Sequence, residues 1–240
     1  KSNSLSQLKG LKKSIELCLS NKFDALITLP IYKKILSTKK IKFTGHTEYI
    51  ADNCGLKGNE VMLLSNKKIN VALATTHISL KDVPNKISKK SLCNTISTLH
   101  NDLKKKFKII DPKITVTGLN PHSGEDGEFG DEEIRIIRPA IRKMQGLGIS
   151  LNGPIPADTA FTPKIMRNTD CYLTMYHDQG LGPFKALTFG KGVNVTLGLP
   201  IIRTSVDHGT GLDIAGSNNI DPSSLFESIK LAISLAKNQY

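Results

Sequence analysis

The sequence predicts an α/β protein in which short buried strands alternate with amphipathic helices. Leucine and isoleucine recur at helical spacing from Leu5 to Leu19, and the apolar run at 23–29 directly after them has the length of a buried strand. The alternation repeats where a helical pattern at 88–106 precedes a strand at 113–119. A chain of 240 residues with 39% hydrophobic content can bury the core of one large domain or two small ones.

The net charge indicates a lysine-rich surface and no nucleic-acid partner. The charge is +12, but only five of the 33 basic residues are arginine. Arginine is the residue that reads base edges and grips phosphates in nucleic acids, so the lysines are interpreted as a solvated surface. The basic balance also suits a small anionic substrate.

Cysteine usage and hydropathy predict a cytoplasmic protein. The chain contains no C-x-x-C pair, and its four cysteines are interpreted as reduced core thiols rather than as disulfides or a zinc knuckle. No apolar run reaches the roughly 18 residues of a membrane span, and no signal peptide is visible. We therefore expect no membrane partner.

The elements after the first strand surround a candidate anion site. Pro30 can begin a helix that runs to about Leu36. The motif Phe43-Thr-Gly-His-Thr-Glu48 then opens a helix to about Asn53, and the free amides at its start, beside Thr47, favour an anion. Taken alone the signal is weak, because Thr-x-Glu openings often only cap helices.

Glycine-rich segments lie between the later elements. The segment 118–130 is rich in glycine and acids, and a loop of this length inside a compact domain is usually functional. Asp131, Glu132 and Glu133 begin a helix by complementing its dipole, and Pro139 kinks or restarts it. The segment 153–159 is predicted to be a rigid connector that fixes Asp158. The remaining predicted elements are strands 61–64, 69–75, 171–175, 193–197 and 201–206, glycine-bearing loops after 175 and at 207–218, and a closing helix at 222–237.

Three of the predicted strands lead into a histidine: His77, His122 and His177. A single histidine at a strand end is more often structural than a metal ligand. Three histidines at equivalent strand ends, two of them followed by acidic residues, favour a site in which three imidazoles bind one cation. Such a site with an open position suits zinc or another divalent first-row ion acting as a Lewis acid.

Motifs along essentially the whole chain resemble those of the 4-hydroxythreonine-4-phosphate dehydrogenase family, NAD-dependent enzymes of pyridoxal 5′-phosphate biosynthesis. Several motifs in register are a stronger signal than any one alone. They are Phe43-Thr-Gly-His-Thr-Glu48, Ala74-Thr-Thr-His77, Gly118-Leu-Asn-Pro-His122, Gly153-Pro-Ile-Pro-Ala-Asp-Thr159, Met175-Tyr-His-Asp-Gln-Gly-Leu181, Gly192-Val-Asn-Val-Thr-Leu-Gly198 and Arg203-Thr-Ser-Val-Asp-His-Gly-Thr210.

The resemblance implies two α/β/α domains around a cleft, as in isocitrate and isopropylmalate dehydrogenases, and a homodimer with shared active sites. Residues 1–38 and 192–240 would form the first, cofactor-side domain, and 39–191 the dimerisation and metal-binding domain. Family members begin with a segment that bears a Gly-Asp-Pro-Ala-Gly-type loop. The sequence starts after it, so the first domain is expected to be incomplete at its N-terminus.

The resemblance also assigns roles to individual residues. The metal ligands would be His77, His122 and, from the partner subunit, His177, with zinc the expected ion and magnesium or cobalt the alternatives. The substrate, largely its phosphate, would be bound by His46, Thr47, Lys185, Asn194 and Arg203. The loop beside NAD, or beside NADP in its place, would use Gly209, Thr210, Asp213 and Gly216. The catalytic candidates are Asp158, Asp178 and Lys185.

The implied reaction oxidises 4-phosphooxy-L-threonine at C3 to a 3-keto acid, which decarboxylates to 3-amino-2-oxopropyl phosphate. Two alternatives stay open. The same metal and phosphate groups would serve a dehydrogenase of 4-phospho-erythronate or 4-phospho-threonate. A chain without the N-terminal segment could instead bind metal and phosphate without catalysis.

Overall fold

The structure is a computed structural model that describes residues 2–32, 36, 43, 45–56, 58–217 and 220–239, with backbone alone at 2–4 and 213. The chain divides into two compact units. The first comprises residues 1–60 and 190–240, and the second residues 61–189. Residues 39–60, predicted to belong to the second domain, fall in the first unit, and the predicted break at 38/39 lies outside the described residues.

Strands and helices alternate along both units, as the sequence predicts. The strands are β1 (Ala25–Thr28), β2 (Val61–Asn66), β3 (Ile69–Leu73), β4 (Ile114–Thr117), β5 (Leu151–Ile155), β6 (Cys171–Thr174), β7 (Val193–Leu197) and β8 (Ile202–Val206). The α-helices are α1 (Ser2–Leu19), α2 (His46–Asn53), α3 (Val83–Lys86), α4 (Lys89–Lys105), α5 (Arg138–Gln145), α6 (Ala157–Ala160), α7 (Pro163–Met166), α8 (His177–Thr188) and α9 (Ser223–Lys237).

The first unit contains a sheet in the order β1-β8-β7. Strands β1 and β8 are parallel, and β7 is antiparallel to β8. Helix α9 packs on these strands, where the Thr204 hydroxyl donates to the Ser228 carbonyl oxygen at 3.0 Å. Since successive side chains of a strand point to opposite faces, Arg203 and Ser205 lie on the face away from that contact. A core that includes Ile15 and Leu26 packs α1 against this unit.

The second unit contains a sheet in the order β2-β3-β6-β4-β5. Strand β2 is antiparallel to β3, and the pairs β3·β6, β6·β4 and β4·β5 are parallel. Tyr172 and Phe184 belong to the core on one face, together with Val71 and Leu73. On α4, an apolar face formed by Leu92, Ile96, Leu99 and Leu103 is fully buried. The α/β class predicted from the sequence is confirmed.

The parallel strands β3, β6 and β4 are neighbours, so their carboxyl ends reach one edge of the sheet. Each of these ends leads into a histidine: His77 after β3, His177 after β6 and His122 after β4. Ligand-binding groups of α/β proteins are typically placed at such an edge. The predicted relation between the three strands therefore appears in the topology of a single sheet.

Three segments differ from the sequence prediction. The glycine-bearing loop expected after strand 171–175 is helix α8, because packing of the buried Phe184 outweighs the local effect of two glycines and Pro183. The connector at 153–159 begins as β5, an edge strand where a proline is tolerated, and continues into α6. The loop at 118–130 contains helical turns. The predicted helix from Pro30 lies largely outside the described residues.

Among the described residues, no helix combines the length and the apolar character that crossing a membrane requires.

Gly180 allows α8 to lie close to the sheet beneath it. A Cβ atom at this position would lie 2.5 Å from Thr174 Oγ1 and 2.7 Å from Val71 Cγ1. Both neighbours belong to strands of the closely packed core, and such interiors accommodate extra atoms poorly. The glycine of the His-Asp-Gln-Gly motif thus has a packing role.

We predict that Gly180→Ala lowers the free energy of unfolding by about 1–3 kcal/mol, because α8 must move away from the sheet. The matched control is Gly182→Ala on the same helix, where an added Cβ meets no atom within 4 Å. That variant should be unchanged or about 0.5–1 kcal/mol more stable, since alanine favours helices. Urea unfolding of both variants measures the difference. Equal stability would contradict the close packing of α8.

Candidate active site

His77 and His177 lie side by side at the edge of the second-unit sheet. Their ring centroids are 5.6 Å apart, with the planes tilted by 45°. Both side chains line a cavity of about 390 Å³, which Tyr176 and Asp178 also line. The rest of the lining includes the apolar residues Ile78, Leu80 and Val83. A concave site of this size with a few polar groups on apolar walls is typical of small-molecule binding.

Asp178 orients the imidazole of His177. The Nδ1 atom of His177 lies 2.6 Å from Oδ1 of Asp178, whose side chain is 90% exposed. A carboxylate accepts this hydrogen bond, so the pair favours the tautomer with the proton on Nδ1 and a lone pair on Nε2. Histidines that bind metals are commonly held by a carboxylate in this way.

The segment that carries His122 has a left-handed backbone. His122, Ser123, Glu125 and Asp126 all have positive φ angles, between 40° and 55°, and Gly124 between them has φ 83°. Consecutive non-glycine residues rarely adopt this conformation, which costs roughly 1–2 kcal/mol per residue. Surrounding contacts must therefore impose it.

Glu133 supplies several of those contacts. Its side chain is completely buried, and Oε1 accepts hydrogen bonds from the backbone N–H groups of Leu119 and Asn120 at 2.7 and 2.8 Å. Oε2 accepts from Asn120 Nδ2 at 2.9 Å. A Cβ atom on Gly124 would lie 2.7 Å from the same Oε2. The buried carboxylate and the missing side chain of Gly124 together fix the turn.

The imidazoles of His77 and His177 suit a divalent ion with histidine ligands, and the described residues bring these two together. Among the residues that the structure describes, no three histidine, cysteine, aspartate or glutamate side chains are grouped closely enough to hold a metal. His77 and His177 lie together, whereas the ring of His122 contacts Phe129 at a centroid distance of 5.9 Å. The sequence analysis pairs His77 with His122 in one chain; the ligand set stays a prediction.

A second group of polar residues surrounds Arg203 in the first unit. The guanidinium is 3% exposed and donates to the hydroxyl groups of Thr28 at 2.8 Å and Thr196 at 3.0 Å. A longer contact of 3.5 Å reaches Thr47 at the start of α2. Within the described residues, Arg203 makes no ion pair and its Nε has no hydrogen-bond partner.

Burial lowers the pKa of Arg203 to about 10, and a more distant attraction from Glu48 opposes this shift. The group therefore remains cationic at neutral pH. An enclosed cation surrounded by neutral hydroxyls is costly unless an anion joins it. The arrangement is that of an anion site whose protein half is already formed.

Asn194 lies on the same face of the sheet as Arg203. The register pairs Asn194 with Ser205, two residues from Arg203, and side chains two apart share a face. The Oδ1 atom of Asn194 is buried and has no hydrogen-bond partner among the described residues. His46 begins α2 and contacts Phe43 edge-on at 5.7 Å. The structure thus brings Thr47, Asn194 and Arg203 into one unit.

The other predicted site residues are more exposed. Asp158 is exposed on α6, and its Oδ1 accepts from the Thr159 N–H at 3.0 Å. Lys185 is exposed two turns along α8 from His177. Gly209, Thr210 and Gly216 lie in an exposed segment around the short turn Leu212–Ile214, and the side chain of Asp213 is outside the described residues. Their assigned roles stay predictions.

Sequence reasoning missed Glu133, Thr28 and Thr196. Glu133 was interpreted only as an acid that complements a helix dipole, and the threonines only as strand residues. For the threonines a signal existed, because polar residues at alternate positions of apolar strands define one polar face. For Glu133 the sequence contains no sign that it is buried.

We predict that Glu133→Gln lowers the free energy of unfolding by about 1–3 kcal/mol, because an amide NH₂ group would replace one oxygen that faces N–H donors. It should also speed hydrogen exchange at the Ser123 and Phe129 amides, which bond within the turn. The neighbouring Glu132, with one hydrogen bond from Asn120 Nδ2, provides the control Glu132→Gln. Similar effects of both substitutions would show that Glu133 has no special role in the turn.

Comparison with known proteins identifies the family. Residues 1–232 match the family model described as pyridoxal phosphate biosynthetic protein PdxA. The chain is 50% identical over 229 residues to the 4-hydroxythreonine-4-phosphate dehydrogenase of Chromobacterium violaceum, covering 95% of this chain and 70% of that protein. Solved structures of the enzymes from Burkholderia phymatum and Klebsiella pneumoniae match with 41% and 38% identity and TM-scores of 0.81 and 0.87, each over 95% of this chain and 69% of the other. The chain therefore belongs to the PdxA family of dehydrogenases, enzymes of pyridoxal phosphate biosynthesis.

Proposed function

We propose that this chain is an NAD-dependent, metal-assisted dehydrogenase of 4-phosphooxy-L-threonine that acts in pyridoxal 5′-phosphate biosynthesis. The observation that carries the proposal is the enclosed guanidinium of Arg203, which has hydroxyl partners and, within the described part of the chain, no ion pair with a carboxylate. A substrate phosphate would supply the missing negative charge. The names of the relatives, 4-hydroxythreonine-4-phosphate dehydrogenases, indicate the same substrate class.

The phosphate would be held by charge and by a helix start together. Arg203 offers a planar donor group suited to phosphate oxygens. Helix α2 begins at His46, and its first N–H groups together with the helix dipole favour an anion beside Thr47. The amide of Asn194 adds a polar group on the face of Arg203. Lys185 is assigned to the phosphate by family resemblance.

The reacting hydroxyl would lie near His77, one of the predicted metal ligands at the edge of the second-unit sheet. A divalent ion bound by His77, His122 and His177 would supply Lewis acidity to the substrate oxygen. Asp178 holds the ring of His177 in one tautomer, and Ile78, Leu80 and Val83 form the apolar part of the cavity wall. An exposed carboxylate, Asp158 or the outer oxygen of Asp178, would accept or return the proton.

The overall chemistry transfers a hydride from C3 of the substrate to NAD⁺ and releases a proton from its hydroxyl. The resulting 3-keto acid loses CO₂ to give 3-amino-2-oxopropyl phosphate. We assign the exposed segment that contains Gly209, Thr210, Asp213 and Gly216 to the nicotinamide cofactor. This assignment rests on the family resemblance and on the exposure of Gly209, Thr210 and Gly216.

We further propose a homodimer in which the partner completes the metal site. Stable zinc sites have at least three protein ligands. The described part of one chain brings two imidazoles together and groups no third candidate with them. By family resemblance, His77 and His122 of one chain would be completed by the partner subunit's His177. A cytoplasmic location remains a prediction from composition.

Turnover tests the proposed reaction directly. The chain, NAD⁺ and 4-phosphooxy-L-threonine should produce NADH absorbance, and a chelator should abolish it until zinc is restored. The runner-up substrates 4-phospho-erythronate and 4-phospho-threonate are assayed beside it, and faster turnover of either would replace the substrate assignment. Binding of zinc and substrate without any NADH would favour the non-catalytic alternative.

We predict that Arg203→Met weakens binding of the phosphorylated substrate by roughly tenfold to a hundredfold, since a charge-assisted hydrogen bond contributes about 1.5–3 kcal/mol. Without ligand the variant should be at least as stable as the wild type, because an enclosed uncompensated charge is removed. Calorimetric titration and thermal unfolding with and without substrate measure both effects. The control is Arg167→Met, an exposed arginine. Unaltered substrate affinity in Arg203→Met would contradict the phosphate site.

A further inference from the structure

Gln179 makes long-range hydrogen bonds from the first turn of α8. Its Oε1 accepts from the Met175 N–H at 2.7 Å and from the Thr117 hydroxyl at 2.8 Å. Its Nε2 donates to the Gly118 carbonyl oxygen at 2.7 Å. Thr117 and Gly118 are about 60 positions away in sequence, so the side chain joins two segments rather than only capping its own helix.

These bonds connect the ends of neighbouring parallel strands. Met175 follows β6 and lies two residues before His177, whereas Gly118 follows β4 and begins the segment that carries His122. Thr75 lies two residues before His77, on the other side of β6. Its hydroxyl donates to the Met175 carbonyl oxygen at 2.6 Å. A continuous series of hydrogen bonds therefore runs across the three strand ends that lead to the histidines.

The side chain at this position needs both an acceptor and a donor. The Oε1 atom accepts two hydrogen bonds, from a backbone amide and a hydroxyl, while Nε2 donates to a carbonyl oxygen. A glutamate would keep the two acceptor contacts but would place an oxygen against the Gly118 carbonyl. A methionine would fill a similar volume and lose all three bonds. The two substitutions therefore separate the contact with the His122 segment from the contacts at Met175 and Thr117.

We propose that Gln179 is a positioning residue that holds the His122 segment against the start of α8 and so fixes the place of the His122 imidazole at the strand ends. The inference rests on the proposed metal site. The residue touches neither metal nor substrate. It acts through the Gly118 carbonyl on one side and through Met175 on the other.

The test compares zinc affinity in Gln179→Glu, Gln179→Met and the control Gln145→Glu, all in the full chain. Gln145 is exposed and its Nε2 donates to the Leu151 carbonyl oxygen at 3.0 Å, so the same substitution removes the same kind of bond in the same unit away from the histidines. Zinc affinity is measured by competition with a chromophoric chelator. Hydrogen exchange at 120–129 and thermal unfolding of the metal-free proteins are measured in parallel.

We expect Gln179→Glu to weaken zinc binding by roughly tenfold or more, because substitution of groups that support metal ligands commonly has an effect of this size. Gln179→Met should weaken it further. Exchange in the His122 segment should rise in both, while the metal-free melting temperature of Gln179→Glu stays close to that of the control. Unchanged zinc affinity in both Gln179 variants would overturn the inference. The inference would also be overturned if both variants lost zinc affinity only in proportion to a general loss of thermal stability. A wild-type chain that binds no zinc would instead overturn the proposed metal site itself.

Discussion

The parallel pairing of β3, β6 and β4 is the constraint on which the candidate active site depends. Because neighbouring parallel strands end at the same edge, segments from three distant parts of the sequence reach one edge of the sheet. The backbone groups beyond each strand end then need partners, since the ladder no longer supplies them. Thr75 supplies one such partner by donating to the Met175 carbonyl oxygen. The same bonds that satisfy the strand ends also fix the histidine-bearing segments.

Meeting this constraint requires an uncommon backbone at the end of β4. The chain turns through a left-handed segment from His122 to Asp126, which is unfavourable for residues with a Cβ atom. The buried carboxylate of Glu133 offsets part of that cost by accepting three N–H hydrogen bonds. Its position also explains Gly124, where a Cβ atom would lie 2.7 Å from Glu133 Oε2, while at Gly118 a Cβ atom would lie 2.6 Å from Ser123 Oγ. The local strain thus has an identifiable source of compensation.

Hydrophobic pattern predicted the strands well, because strand burial leaves a direct trace in the sequence. The predicted strand 193–197 is β7 at its observed bounds, and the three histidines follow the strands expected to carry them. Helix α8 was not predicted, since two glycines and Pro183 weaken a helix locally while the burial of Phe184 stabilises it through tertiary packing. Local sequence pattern predicts which segments form helices and strands. It does not show where a glycine such as Gly180 lets a helix pack closely on a sheet.

Residues that act through a hydrogen bond across the fold left little sign in the sequence. Glu133 looked like an ordinary acid at a helix start, and Gln179 like a polar residue in a loop. Their roles depend on partners that precede Glu133 by 13 or 14 positions and Gln179 by 61 or 62. Arg203 was predicted as a phosphate ligand from family resemblance alone. Its burial among threonines supplies a physical reason for that assignment that the sequence did not contain.

The choice of threonine around Arg203 has an energetic consequence for anion binding. A carboxylate beside the guanidinium would neutralise the buried charge and stabilise the ligand-free fold, but it would also repel a phosphate dianion from the same place. Hydroxyl groups of Thr28 and Thr196 accept hydrogen bonds and hold the planar group in one orientation without cancelling its charge. Burial therefore lowers the pKa of Arg203, and the attraction from Glu48 offsets only part of that desolvation cost. A phosphate bound as proposed would relieve the remainder, so part of its binding free energy would come from a penalty already present in the folded chain.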